Sequence, residues 1–400
     1  MSPSQLDDWF LAALAVGGRR PADVPCALTK LTVVIVSYER QDFLLRQAVY
    51  WGNGAAKVVI VDGSSRPLSG LRLEALLTQK NITYLHLPES LSVRMGLAAQ
   101  HVHTLYAVLL GDDEFLLKKG LSMAIKKLEQ DPTLVACMGQ SLGFYPSSDG
   151  AHCTYTPGYP HLGYEVTHDD VRQRLAAAMT NYTPVTSYAV VREPVWSRSW
   201  GAIHNWSSPY VGELQQAITT YIWGKLSAVD EIYWMRSYES LSINIENEHD
   251  VSLSTYDWYS SPRFQSERDD FVETLAGELV SAEQFGYPEA RNIVLEAIES
   301  YLAFYISRRN VRRGVALFTR GLIARGLERV LPERRFLALK VKLFGPLRPK
   351  EKVNLVMSEN ATSESSTESV LIDPETASEI AEIEVLVSGF YRARLSEERA

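Results

Sequence analysis

The chain has 400 residues, 46% of them hydrophobic and 22% charged, which fits a globular protein of two to four domains and excludes wholesale disorder. Three cysteines, Cys26, Cys137 and Cys153, provide neither a disulfide framework nor a CxxC metal pair, so a reducing, cytoplasmic compartment is expected. The net charge of −8 is uneven: residues 301–350 carry 13 basic and 2 acidic side chains, a net of +11 set against −19 elsewhere.

The first 30 residues read as a helical lead-in, broken by Gly17, Gly18, Pro21 and Pro25. Asp7 and Asp8 stand where a signal peptide would be basic, and no run of 18 apolar residues predicts a membrane span. Strand and helix then alternate. Residues 31–36 (LTVVIV) are a β-branched run, so a strand, followed by helical spacing over 42–50. Strands follow at 57–61, 82–87 and 105–110, with helices at 71–77, 91–103 and 119–130. This alternation predicts an α/β fold: a mostly parallel sheet with helices on both faces.

Residues 131–165 are rich in turn formers and aromatics, and are expected to be an irregular insertion over the strand ends. A helix is expected at 165–179, a strand at 186–191, a helix at 209–223 and a strand at 232–238. Beyond about residue 255 the pattern is helical: 262–285, 288–307, 310–329 and 334–343. Residues 357–370 (MSENATSESSTESV) read as a disordered linker, and Pro374 opens a last acidic helix. The expected organisation is a lead-in (1–30), an α/β domain (31–255), a helical domain (256–356), the linker (357–370) and an acidic helix (371–400).

Ligands of parallel sheets bind at the carboxyl ends of the strands, which here carry four polar clusters. Gly111-Asp112-Asp113-Glu114 follows the fourth strand; adjacent carboxylates suit a hard divalent cation such as Mg²⁺ or Mn²⁺. Asp62, after the second strand, can accept from a ribose hydroxyl or a base imide. Tyr38, after the first strand, can stack on a nucleobase, and Arg94 can pair with a diphosphate. Singly, the acidic cluster reads equally as a helix cap, Asp62 reads first as an Asx turn and Arg94 as a surface arginine, and Tyr38 can be an ordinary strand-end aromatic. Their common position on one predicted rim gives them weight together. The aromatics Trp196, Trp200, Trp206, Tyr210, Tyr221 and Trp223 can wall a sugar pocket, although core packing is expected for most of them.

The segments LTVVIVSYERQDFLLRQAV, KVVIVDGSS, LSVRMGLAAQHV and YAVLLGDDEF, in this order and spacing over about residues 30–240, resemble the family 2 glycosyltransferases of the GT-A fold. The resemblance implies a UDP-sugar donor, inversion at the anomeric carbon and Mn²⁺ or Mg²⁺. It places Tyr38 on the uracil and Asp62 on the uracil or ribose, and Ser37, Arg40, Arg94 and Asp112 in the nucleotide site. Asp113 and Glu114 would be the metal side. The family's Gly-Glu-Asp-like helix start is matched by Gly212-Glu213-Leu214, making Glu213 the base, with Asp169 and Asp170 as weaker candidates. The chain departs from the pattern at Glu39, Met95, Gly111 and Leu214, and in the shortened Asp62-Gly63-Ser64.

The basic stretch 301–350, interleaved with apolar residues, is expected to contact an anionic membrane surface or a lipid-linked acceptor, or else to form an oligomer contact. Membrane contact would set the enzyme on the cytoplasmic face of the inner membrane, in surface polysaccharide or glycolipid assembly with a glycan or lipid-linked acceptor. Nucleic acid is not expected, because the remainder is acidic and no such motif is present. Two other functions compete. A non-catalytic nucleotide- or glycan-binding relative would bind without turnover. A nucleotidyltransferase would need a glycine-rich loop after the first strand, and SYERQDF has no glycine.

Overall fold

The structure is a computed structural model describing residues 4–17, 26–147, 150–159, 161–239, 253–283, 285–312, 352–357 and 369–397. Helix α1 (Gln5–Gly17) precedes β1 (Leu31–Ser37), α2 (Gln41–Trp51), β2 (Lys57–Asp62), α3 (Gly70–Leu77), β3 (Ile82–His86), α4 (Leu91–Ala99) and β4 (Tyr106–Gly111). Strands β1, β2 and β4 are apolar runs buried along nearly their whole length, as expected for strands covered on both sides. β1 pairs in parallel with β2 on one side and β4 on the other, and β3 continues beyond β2. The chain order therefore reverses at β1/β4, the crevice where α/β sheets bind ligands. Register brings the strand ends level: Ser37 faces Asp62, and Val36 faces Gly111.

Next come β5 (Phe115–Leu116), α5 (Lys118–Gln130), β6 (Leu134–Pro146), β7 (Cys153–Pro157), β8 (Glu165–Val166), α6 (Val171–Thr180), β9 (Val190–Arg192), α7 (Glu193–Ser199), α8 (Pro209–Trp223) and β10 (Lys225–Ser237). All ten strands form one mixed sheet, whose main path is β3-β2-β1-β4-β9-β6-β10-β5. Residues 131–165 are thus not an irregular insertion. Most of β6 is buried, and it pairs in parallel with the equally long β10. Gly139, Gln140, Ser141 and Gly143 interrupt its apolar pattern, but two of these are glycines for a packing reason. A Cβ on Gly139 would lie 2.6 Å from the Glu231 carbonyl oxygen and the Tyr233 Cβ, and one on Gly143 would lie 2.2 Å from the Thr156 Oγ1. Close approach of neighbouring strands selects glycine inside a strand.

Two further expectations change. The strand at 186–191 shrinks to Val190–Arg192, an antiparallel bridge between β4 and β6. The helix at 165–179 starts later, at Val171, where the Asp170 side chain accepts from the Gln173 N–H at 2.8 Å, a conventional N-cap.

Helices α9 (Thr255–Ser260), α10 (Gln265–Ala282) and α11 (Tyr287–Arg312) follow; α10 and α11 pack with α6 and α8. Only the start of the basic stretch falls in α11. Residues 313–350, with the expected helices 310–329 and 334–343, lie outside the described residues. The expected linker begins and finishes in strand: β11 (Asn354–Met357) pairs in parallel with β12 (Ser369–Ile372), and 358–368 lie outside the described residues.

The last helix, α12 (Pro374–Glu397), packs on α1 and α2 through Phe390, whose ring lies 5.7 Å from Trp9 and 5.5 Å from Phe43. Its acids occupy the N–H groups of other elements. Glu379 accepts from Lys118 N at 2.7 Å and Lys119 N at 3.3 Å, capping α5 from outside. Glu384 accepts from Cys153 N, and Glu397 from Leu6 N. No helix among the described residues is long and apolar enough to cross a membrane.

Candidate active site

The turns after β1, β2 and β4 meet in one hydrogen-bonded group. Asp62 is fully buried. Its Oδ1 accepts from Ser64 N at 2.9 Å, and its Oδ2 from Gln41 Nε2 at 2.6 Å and Tyr84 OH at 2.7 Å. Three donors hold this carboxylate as an acceptor and fix the turn around it. Glu39 adopts a left-handed φ of 53°, and its side chain accepts from Ser65 N at 2.7 Å, joining the first two turns. Arg94, in the first turn of α4, donates to the Ser37 carbonyl at 2.8 Å and lies 6.0 Å from the Tyr38 ring centroid. Gly63 makes room for it: a Cβ there would be 2.4 Å from Arg94 Nη1. Burial pulls the Arg94 pKa down, opposed first by the Asp62 charge, and its Nε has no partner among the described residues.

The acidic turn splits into three environments. Asp112 points inward, fully buried; Ser37 Oγ donates to it at 2.7 Å and the Arg40 guanidinium forms an ion pair with it. Burial pushes its pKa up, and Arg40 opposes this. Asp113 is 13% exposed and shares Arg40, at 3.3 Å through Oδ2. Glu114 accepts from Trp234 Nε1 at 3.2 Å; burial, then the Asp113 charge, pushes its pKa up to about 8.

Asp113 Oδ1 and Glu114 Oε2 border the space that Gly111 leaves by lacking a side chain. A Cβ on Gly111 would lie 3.5 and 3.2 Å from them. Two hard oxygens around an unfilled space suit a divalent cation. No group of three or more His, Cys, Asp or Glu side chains converges as a metal site among the described residues. The protein would therefore supply only part of the coordination shell, and ligand or water oxygens the rest, the usual arrangement for Mg²⁺ at phosphates.

Arg40, Arg94, Asp113 and Glu114 line a cavity of about 480 Å³ that also contains Glu213. Glu213 lies in the first turn of α8, which Pro209 opens. Burial pushes its pKa up to about 7, against the opposing charge of Arg236. Asp169 and Asp170 lie outside this cavity: Asp169 pairs with Lys225 at the surface, and Asp170 caps α6.

The sequence did not single out Arg236, which β10 carries into the same cavity. Its guanidinium sits 4.9 Å from the Tyr159 ring and 5.1 Å from the Tyr238 ring, and donates to Tyr159 OH at 2.6 Å. It pairs with no carboxylate among the described residues. Beside it, Tyr159 and Tyr188 stack on Trp234 at 5.8 and 4.2 Å between centroids. A lone arginine in the aromatic strand IYWMRSY was the available signal. Trp200, Trp206 and Tyr210 reach the cavity, whereas Trp196 is fully buried in the core.

No family model matches the chain, and no curated protein matches it. Among solved structures, the chain is similar to S. aureus TarS 1-349, at 10% identity and a TM-score of 0.41, over 70% of this chain and 91% of that one. The complex of that protein with UDP-GlcNAc gives 13% identity and a TM-score of 0.38, over 70% and 92%. Mannosyltransferase PcManGT from Pyrobaculum calidifontis, in complex with GDP-Man and Mn²⁺, gives 15% identity and a TM-score of 0.36, over 85% and 97%.

Proposed function

We propose that the chain is an inverting glycosyltransferase that moves a sugar from a UDP-sugar donor to a hydroxyl acceptor with the help of Mn²⁺ or Mg²⁺. One observation carries this reading: Arg40, Arg94 and Arg236 and the carboxylates Asp113 and Glu114 share a single cavity with Glu213, whose pKa is about 7. The nucleobase would lie against Tyr38, with Arg40 at the ribose end; Asp62, Ser37 and Asp112 are fully buried and outside the cavity lining, so they would act by holding the turns and Arg40 in place rather than by touching the nucleotide. Arg94 and Arg236 supply positive charge for a diphosphate. Asp113 and Glu114 would hold the cation, which when bound neutralises charge on the departing diphosphate.

Glu213 takes the proton of the acceptor hydroxyl. The acceptor oxygen bonds to the anomeric carbon as the bond to the diphosphate oxygen breaks, and the electron pair leaves with UDP. A base titrating near neutrality balances ionised fraction against proton affinity. The Tyr159–Trp234–Tyr188 stack offers apolar ring surface next to this chemistry, suited to a sugar face. The acceptor is proposed to be a glycan or lipid-linked, and the basic residues of 301–350 to attach the enzyme to the cytoplasmic face of a membrane; the composition of that stretch supports this part.

UDP release tests the proposal, measured with a panel of UDP-sugars and with GDP-, CMP- and dTDP-sugars as controls, in Mn²⁺, Mg²⁺ or chelator. Turnover of a UDP-sugar that needs metal and disappears in Asp113→Ala is expected. Absence of turnover with membrane extract as acceptor source, together with absence of UDP binding, refutes it. Metal-dependent UDP binding without turnover, indifferent to Glu213→Gln, would instead identify a binding protein.

A further inference from the structure

We propose that Arg46 is a positioning residue that ties the acidic turn to the end of β10, and that α12 holds it in place. The functional consequence rests on the glycosyltransferase reading above. Arg46 is completely buried in α2. Its Nη2 donates to the Asp113 carbonyl at 2.8 Å, and its Nη1 to both Glu239 oxygens, at 3.1 and 2.8 Å. Asp113 is the proposed metal side of the cavity. Glu239 lies two residues beyond the strand that carries Trp234 and Arg236 into the same cavity. One guanidinium thus spans two parts of the site.

Its neighbour Gln47 donates to the Asp112 carbonyl at 3.0 Å and the Glu114 carbonyl at 2.6 Å. The two side chains together grip three successive carbonyls of the acidic turn. The remaining contacts of Arg46 come partly from α12. The Phe390 ring lies 5.3 Å from its guanidinium, with Phe43 at 4.9 Å and Phe115 at 5.0 Å, and Tyr391 OH donates to Glu239 Oε2 at 2.9 Å. A buried ion pair is costly beside an apolar replacement, and its best-attested use is to specify one arrangement. Here the arrangement specified is that of Asp113 relative to β10, with Tyr391 completing the shell of donors around Glu239.

The test uses the full-length protein with Tyr391→Phe, which removes one hydroxyl, and Arg46→Lys, which keeps the charge but loses the fork. Amide hydrogen exchange is read over residues 111–116 and, as reference, over residues 134–138 of β6. UDP affinity and the donor KM and kcat are measured in Mn²⁺. For Tyr391→Phe, exchange at 111–116 is expected to rise about three- to tenfold with the reference unchanged, the range of one ordinary hydrogen bond. Donor KM should rise by a similar factor, with a smaller change in kcat. Arg46→Lys should show the same two effects, because the lysine cannot replace the fork.

Unchanged exchange at 111–116, or an equal rise in the β6 reference, overturns the inference. If the parent protein binds no UDP, the glycosyltransferase reading fails on that arm alone, and the exchange arm still decides whether Arg46 and α12 position the turn. Should Arg46→Lys fail to fold, Tyr391→Phe carries the test.

Discussion

Replacing Glu213 by glutamine should abolish catalysis and stabilise the protein at the same time. Burial raises the carboxyl pKa from 4.5 to about 7. The folded state therefore keeps a proton that the unfolded chain has lost, and wild-type stability falls as pH rises from 4.5 to 7 and is level above. At about 1.4 kcal/mol per pH unit, ionising Glu213 in the fold costs about 3 kcal/mol. Water in the cavity offsets part of this, so it is an upper figure. Glutamine has nearly the same shape and no charge. Its gain over wild type should be small at pH 5 and reach its full value of up to about 3 kcal/mol at pH 8, read by urea unfolding at both pH values. Turnover should fall by about 10²- to 10⁴-fold, the usual contribution of a general base. The wild-type rate should climb with pH until about 7. A variant that keeps a tenth or more of the activity, or whose stability gain is the same at both pH values, refutes the assignment of Glu213 as a half-buried, titrating base.

Asp113→Ala should leave the melting temperature near wild type, because this side chain is partly exposed, yet eliminate Mn²⁺-dependent UDP binding in calorimetry. Gly63→Ala places a Cβ 2.4 Å from Arg94 Nη1 and must displace that guanidinium; UDP affinity measured by calorimetry should fall tenfold or more while the circular dichroism spectrum is kept. Arg236→Gln removes the cavity cation held between Tyr159 and Tyr238, so donor KM should rise about ten- to a hundredfold in steady-state kinetics, as expected for a charge-assisted contact. Glu379→Ala strips the cap from α5 and should cost about 1–3 kcal/mol in urea unfolding with donor affinity unchanged, since Glu379 lies outside the cavity.

Much of the strand-end half of the candidate site is legible in the sequence. The runs LTVVIV, KVVIV and LYAVLL read as buried strands, and the residues just past them, Ser37 to Arg40, Asp62 and Gly111 to Glu114, meet at one crevice because parallel register sets strand ends side by side. β-Branched runs bounded by polar turns are local signals, so they survive into the fold. The other half is not legible. β6 reads as an insertion because its glycines answer to Glu231, Tyr233 and Thr156, which are distant in sequence.

The same division runs through the side chains. Residue types at strand ends determined which chemistry is available: carboxylates, arginines and an aromatic. Only the tertiary structure decided their states. It saturated Asp62 with three donors, turned Asp112 inward onto Arg40, left Asp113 and Glu114 beside the space at Gly111, and brought Arg236 and Glu213 into one cavity. It also set α12 against Arg46, a contact no local pattern announces. Periodicity and turn chemistry act over a few residues. Burial, partners and pKa depend on which distant segments become neighbours, and that is settled only when the sheet and its helices pack.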